Sequence, residues 1–372
     1  MHTREARTDV FVIGGGPAGL AAAIAASRKG FAVTVADGAE PPIDKACGEG
    51  LMPETLAALA QLGVKLPGGS GQQFCGIRFL DSDTEAAADF PDGQGIGIRR
   101  RRLHELLISE AEHCGVNLLW KTPVVGIANH GVYLHGGTVP ARWIIGADGG
   151  QSRVRQWCDL NSGATAGHRV ATRRHYRVRP WTKYMEIYWA ERIQAYVTAV
   201  SHDEVCIVTL GETPDTADFD HVLNLLPVLR ARLSGAELAS RERGAVTAMQ
   251  SLARVWQGGV ALVGDASGGV DAITGEGLRL AFQQSLALAE AMYAGNLRLY
   301  GRAHKKLLRR PLWMGKLMLQ FGRYEEMRSR AMGIFNRNPE LFQRLLAIHV
   351  GHSTTKATLT AGLELGWQFL AS

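Results

Sequence analysis

Apolar residues recur in several rhythms along this chain, and each rhythm predicts a different kind of element. Val10 to Ile13 is an unbroken apolar run, as expected of a strand buried on both faces in a parallel sheet. The Ala-rich stretch that follows, up to Lys29, is a good helix former. Gly30 ends that helix, and residues 31–36 form a second strand closing on Asp37. Met52-Pro53 opens a helix over 54–62, with Pro53 at its first position. Residues 74–80 and 85–90 predict strands of a separate sheet. Leu103, Leu106, Leu107 and Ala111 share one face of a helix that runs to Cys114. A third parallel strand (116–119), a short hairpin (124–128 with 131–134) and a strand at 143–146 follow.

From Gly167 the rhythm changes to partial alternation. Segments 170–178, 184–189, 194–200 and 204–210 predict a four-stranded antiparallel sheet, one face covered and the other turned to a ligand or to the first domain. A helix over 218–233 and a returning strand at 244–250 come next. Residues 259–265 lead back to the first sheet, and 275–293 form a helix. The section 297–372 is helical and basic, with Lys305, Lys306, Arg309 and Arg310 beside Leu307, Leu308, Leu312, Trp313, Met314, Leu317, Met318 and Phe321. Such a stripe either packs on the protein's own core or lies on a membrane.

Composition narrows the picture little. A chain of 372 residues can bury a large core and suggests about two domains. The net charge of +6 suits anionic ligands or a membrane surface as well as ordinary solvated surface. No nucleic-acid module is present in the pattern. The five cysteines, Cys47, Cys75, Cys114, Cys158 and Cys206, are scattered and odd in number, which argues against a disulfide framework or zinc site and for a reducing compartment. The first apolar run lacks a secretory cleavage pattern, and no apolar stretch is long enough to span a bilayer. The expected location is the cytoplasm, with peripheral membrane contact through the basic C-terminal helices as an option.

The candidate chemistry starts in the first turn. Gly14, Gly16 and Gly19 have the G-x-G-x-x-G spacing, between a strand and a helix. Gly14 permits the tight turn, Gly16 lets the backbone approach a pyrophosphate, and Gly19 lets helix and strand pack closely. The helix N-terminus offers amide donors to phosphate, and Asp37 stands where a ribose would be bound. Four successive arginines, Arg99 to Arg102, open a later helix. Positive charge there is unfavourable unless it meets an anion, which favours phosphate contact by one of them. Two further stretches complete the set: Gly146-Ala-Asp148-Gly149 with Ser152, Val154 and Arg155, and Gly264-Asp265-Ala-Ser267 with Thr274-Gly275-Glu276-Gly277-Leu278.

This ordered trio resembles the flavoprotein hydroxylase superfamily, the para-hydroxybenzoate hydroxylase fold, over roughly residues 9–293. Residues 45–53 and 264–277 look most like its geranylgeranyl reductase and halogenase branch. The resemblance implies an α/β fold: a Rossmann-like FAD-binding domain with an inserted mixed β-sheet substrate domain and a helical C-terminal region. The FAD-binding domain would comprise 1–72, 96–166 and 251–296, the substrate domain 73–95 and 167–250, and the helical region 297–372. FAD would be held by Gly14, Gly16, Pro17, Ala18, Gly19, Asp37 (ribose), Cys47, Gly48, Arg100 (pyrophosphate or ribityl region), Val124 (adenine), Asp148, Asp265 (ribityl), Gly275, Gly277 and Leu278. There are departures. Asp271 is followed by Ala272 where a proline is usual, and the tryptophan motifs of halogenases and of archaeal prenyl reductases are missing.

The expected activity is NAD(P)H-dependent monooxygenation of a hydrophobic, aromatic or polyketide-like small molecule. Flavin-dependent alkene reduction is the alternative, and halogenation or non-catalytic binding stand behind it. Trp181, Tyr184, Tyr188, Trp189 and Tyr196 either line the substrate cavity or pack the sheet. Glu49 is expected to face solvent, Cys47 to fill space, and His168, His175 and His202 to have no role. Neither a metal site nor an oligomeric state follows from the sequence.

Overall fold

The computed structural model describes residues 8–82, 84–128, 131–352 and 355–371. The helices among them are α1 (Pro17–Arg28), α2 (Pro53–Gln61), α3 (Arg100–His113), α4 (Arg153–Trp157), α5 (Phe219–Leu225), α6 (Pro227–Arg232), α7 (Gly277–Tyr293), α8 (Leu297–Arg323), α9 (Glu325–Arg337), α10 (Pro339–His349) and α11 (Thr355–Ala371).

The nucleotide-type sheet has six strands, in the order Trp256–Gln257, Val260–Leu262, Trp143–Gly146, Val10–Ile13, Val33–Ala36 and Asn117–Leu119. All neighbours are parallel except the edge pair Trp256–Gln257 with Val260–Leu262. Val10–Ile13 is central and buried throughout, because helices cover both faces of a parallel sheet. α1, α3 and α7 pack against this sheet, and Leu20, Ile24, Leu103, Leu107, Phe282 and Leu288 fill the space between.

The second sheet is larger than the alternation suggested. It has eight strands and is mixed: Met185–Ala190 runs parallel to Gly76–Asp81. Its longest strand, Gly163–Arg177, pairs with both Glu204–Gly211 and Arg243–Leu252. Helices cover both faces. Ile187, Tyr196, Cys206 and Val208 meet α8, α9 and α10 on one side. Tyr188, Ala195, Val197, Val205 and Ile207 meet α5 and α6 on the other. The strict alternation of these residues is the period of two that a strand imposes. A buried ion pair, Arg328 Nε to Asp81 Oδ2 at 2.9 Å, fastens α9 to this sheet.

Three other expectations need correction. The strand expected at 74–80 is two strands in different sheets, because the chain turns at Cys75, whose N–H donates to Lys183 O and whose carbonyl accepts from Phe90. Gln72–Phe74 joins Gly95–Gly97 and Gly50–Leu51 in a small sheet, while Gly76–Asp81 joins the large one. The helix expected over 218–233 breaks at Leu226, since the residue before a proline, here Pro227, avoids helical dihedrals. The hairpin of Val124–Ala128 and Gly131–Leu134 gains a third strand, Gly137–Pro140. No helix of the described residues is long and apolar enough to cross a membrane.

Candidate functional site

The first turn is built by steric demands that differ from glycine to glycine. Gly14 has φ +109, and a Cβ there would stand 2.5 Å from Ala147 O at the end of the neighbouring strand. A Cβ on Gly19 would collide with Gly14 O, so that glycine sets the closeness of α1 to the sheet. Gly16 is different: a Cβ would meet no protein atom within 4 Å, which leaves open backbone at the N-terminus of α1. Pro17 is buried at the first position of that helix, with Ala18 half-buried beside it.

Asp37 holds the turn through its carboxylate, accepting from Gly15 N (2.7 Å) and Ala39 N (2.7 Å). Thr122 N donates to Asp37 O at 2.8 Å, which brings the strand carrying Val124 to the same place. His104 lies fully buried one turn beyond Arg100. Its Nε2–H donates to Gly15 O (2.7 Å) and its Nδ1 accepts from Ile43 N (3.2 Å), so both partners fix one neutral tautomer. Burial pushes its pKa down, consistent with that neutral ring. His104 links the glycine turn to the loop after Asp37 and was not anticipated. Its spacing after Arg100, on the buried face of α3, was the available signal.

The four arginines divide sharply. Arg99 pairs with Glu204 (2.6 Å), Arg101 and Arg102 are exposed, and Arg100 is half-buried with an Nε that has no partner among the described residues. The anion at the N-terminus of α3 comes from within the protein, because Glu49 Oε1 accepts from Arg100 N at 2.9 Å.

Glu49 itself corrects the expectation of a solvent-facing side chain. It is 2% exposed and sits at φ +58, the left-handed region. Arg173 Nη1 donates to its Oε1 (3.1 Å), and His175 Nε2 lies 2.7 Å from its Oε2. Arg173 also holds Asp44 through both carboxylate oxygens (2.9 Å each) and donates to Lys45 O (3.3 Å). His175, given no role from sequence, is completely buried between Glu49 and Ser240 Oγ (2.7 Å). Cys206 joins Glu49 and His175 in a group whose ligand-type atoms lie within 4.8 Å of one another. The arginine occupying Glu49 makes this an ion-pair knot rather than an open metal site. It ties the 44–50 loop to the strand Gly163–Arg177 and to α3. Cys47, half-buried in that loop, has its Sγ 3.4 Å from Glu49 N, and Gly48 beside it has open space where a Cβ would stand.

At the opposite wall, Asp265 is exposed and pairs with Lys45 Nζ at 3.0 Å. Gly264 packs on Ala18, so the loop after Val260–Leu262 lies against the start of α1. Asp271 accepts from Ile273 N (2.9 Å) and from Arg169 Nη1 (3.1 Å), and this fixes a short helical turn, Ala272–Thr274, where the usual proline is absent. Gly275 is left-handed (φ +65), Gly277 has open space at its Cβ position, and Leu278 is half-buried in the first turn of α7. Asp148 has another occupation: it caps α4, accepting from Ser152 Oγ (2.5 Å), Arg153 N (2.7 Å) and Val154 N (3.1 Å). Arg155 then braces Gly150 O and Gln250 from a buried position.

A narrow cavity of about 70 Å³ runs from Gly50, Thr274 and Gly275 between the large sheet and α8, α10 and α11. Its wall is apolar and soft, with Met52, Met185, Met314, Met318, Phe321 and Phe335 among the lining. None of Trp181, Tyr184, Tyr188, Trp189 and Tyr196 lines it. Tyr188 instead lies on the other face of the sheet and bonds Glu186 (2.8 Å), while Trp189 and Tyr196 pack in the core. His349 is the single titratable side chain among the described lining residues, and its Nε2–H donates to Thr274 O at 3.0 Å. Beyond this end, Glu276 is buried against Arg279 (2.5 Å) and Arg310 (3.3 Å). Glu54 lies 3.5 Å from Arg310, and burial pushes its carboxyl up to about 7.

The sequence profile of the family described as FAD binding domain matches residues 7–310. The menaquinone reductase of Mycolicibacterium smegmatis is 27% identical over 330 residues, covering 81% of this chain and 80% of that protein. The digeranylgeranylglycerophospholipid reductase of Methanothrix thermoacetophila is 25% identical over 306 residues, covering 77% of this chain and 78% of that protein. Among solved structures, a geranylgeranyl bacteriochlorophyll reductase-like protein of Thermoplasma acidophilum superposes with a TM-score of 0.78 at 19% identity, covering 95% of each chain.

Proposed function

The chain belongs to the FAD binding domain family, and from that premise we propose that it is a flavin-dependent reductase of carbon–carbon double bonds in the isoprenoid chain of a lipid. The residues fit the cofactor. Gly16, Gly48 and Gly277 offer backbone with open space, and Arg100 offers a buried Nε donor without a partner among the described residues. In this reading the α1 N-terminus and Arg100 take the pyrophosphate, Asp37 and the approach to Val124 take the adenosine half, and Asp265 with Gly275 to Leu278 takes the flavin half. Bound FAD supplies hydride chemistry once NAD(P)H, the expected donor, has reduced it.

The observation that carries the reading is the cavity. Its wall is apolar except at Thr274 and His349, and it is floored by Thr274 and Gly275, next to the loops assigned to the flavin. Methionine and phenylalanine side chains adapt to a flexible branched hydrocarbon and hold no polar group that would orient a phenol. The apolar walls disfavour water, and at the floor His349 gives its Nε2–H to Thr274 O. Reduction adds a hydride to one alkene carbon and a proton to the other. The names of the two curated relatives support the same class of substrate, since menaquinone and digeranylgeranylglycerophospholipid both carry isoprenoid chains. Monooxygenation, the first expectation from sequence, is the second reading, supported by the complete stretch from Gly146 to Arg155.

Product mass separates the two. Reduced holoprotein is mixed anaerobically with a polyprenyl lipid, and the flavin spectrum and product are followed. Flavin reoxidation with a product heavier by two hydrogens is expected. Reoxidation that requires oxygen, with a product heavier by one oxygen atom, would transfer the assignment to monooxygenation.

A further inference from the structure

We propose that the outer face of α8 docks this protein on the surface of an anionic lipid bilayer. Arg298, Arg302, Lys305, Lys306, Arg309, Trp313, Lys316, Gln320 and Arg323 recur at spacings of one, three and four, and all are exposed. Seven of the nine are cations, and α8 contains no Asp or Glu. None of the seven makes a side-chain ion pair with a carboxylate of the described residues, whereas Arg310, on the inner side, is engaged by Glu276 and Glu54. A row of like charges about 38 Å long repels itself and is relieved by an extended anionic surface.

The inner face of the helix decides how it would dock. Met314, Met318 and Phe321 are buried in the core or wall the cavity, so α8 cannot sink an apolar face into lipid. Attachment is through charge, with interfacial aromatics as anchors. Trp313, 50% exposed, stands one turn from the cavity residue Leu317. Leu363 and Trp367, 75% and 72% exposed, lie on α11, whose Leu365 lines the same cavity. Near the start of α8, Arg298, Arg302 and Lys305 join Arg254 and Trp256 around a separate concavity of about 300 Å³ with no carboxylate among its described lining residues. Such a place suits the phosphodiester of a lipid headgroup. The inference stands on charge and exposure. It deepens the reductase reading by naming the surface that supplies the substrate, and rests on that reading for this last point alone.

Holoprotein is sedimented with vesicles of phosphatidylcholine, alone or with about one third phosphatidylglycerol. Binding is expected only with phosphatidylglycerol, weakening as salt is raised. The variant Lys306→Glu/Arg309→Glu/Lys316→Glu is expected to lose at least tenfold in partitioning, while keeping its flavin absorbance, its melting temperature and its rate on detergent-dispersed substrate. Trp313→Ser, which leaves the charges alone, is expected to weaken binding less than the triple variant. Equal sedimentation with both vesicle types, none with either, or full binding by the triple variant would overturn the proposal. So would displacement by inorganic phosphate at matched ionic strength, which would assign the cations to a small anion. Vesicle binding without any lipid reduction would support the docking and sink the reductase reading alone.

Discussion

Gly16 and Gly19 stand three residues apart and fail differently when given a side chain. Gly16 has φ −70 and ψ 177, which any residue adopts, and its Cβ position is open. Gly16→Ala is therefore expected to fold normally and to lose about tenfold or more in FAD affinity on titration of the apoprotein, because the added methyl takes space needed by phosphate. Gly19→Ala forces a methyl against Gly14 O and is expected to cost about 3 kcal/mol in denaturant unfolding, flavin or no flavin. Glu49 makes a third case. Glu49→Ala leaves His175, Arg173 and the N-terminus of α3 without their shared carboxylate. A loss of about 3 kcal/mol is expected, and a smaller one in Glu49→Gln, which keeps the acceptor oxygen. Unchanged unfolding midpoints would show that the knot is not a structural tie. The glycines were legible in the sequence because their demands are local. Glu49 was not, since its partners Arg173 and His175 lie more than 120 residues away and nothing in a loop glutamate announces them.

Between elements, two buried titratable groups set opposing pH dependences. Glu54, in the first turn of α2, has its pKa raised by burial from an ordinary 4.5 to about 7. The folded state thus holds a proton that the unfolded state releases, so this group's contribution is full below pH 4.5 and is lost between 4.5 and 7. His304, on α8, donates toward Ser267 Oγ (2.9 Å), and burial lowers its pKa from 6.5 to about 4. Its contribution is full above 6.5 and is lost as pH falls from 6.5 to 4. Glu54→Gln is expected to flatten the decline of melting temperature toward neutral pH, and His304→Gln the decline toward acid. Unaltered profiles would contradict these assignments. The cavity is also a product of element packing, where α8 and α10 stand off the sheet. Met318→Trp is expected to lower kcat/KM at least tenfold for a long prenyl lipid and to leave FAD binding unchanged; equal rates would place the substrate elsewhere. Strand and helix periods revealed most elements, including α1, α3 and α7 around the parallel sheet, but not the short α4. They could not reveal that Cys75 hands the chain from one sheet to another, since each half alternates correctly by itself. Nor could they show which face of the large sheet borders the cavity, because helices cover both.

At the scale of the molecule, the nucleotide-type sheet is interrupted twice by excursions into the large sheet, and its strands come from 10–13, 33–36, 117–119, 143–146 and 256–262. The site assigned to the cofactor is scattered likewise, from Gly14 to Leu278, so FAD binding bridges segments that only the folded state brings together. Saturating FAD is expected to raise stability by about 4 kcal/mol at a thousandfold excess over its Kd, and removing it should lower the melting temperature of the whole chain in one cooperative step. The interruption matters again during synthesis. A ribosome has long since released the Gly14 to Gly19 turn when Val260–Leu262 and the start of α7 are still to be translated. Until then the nascent chain carries the turn proposed for phosphate without the segments proposed for the flavin, and contacts of such long sequence separation form slowly. Cofactor capture then waits for the segment that ends at Leu278, and a chain stopped before that residue should emerge colourless.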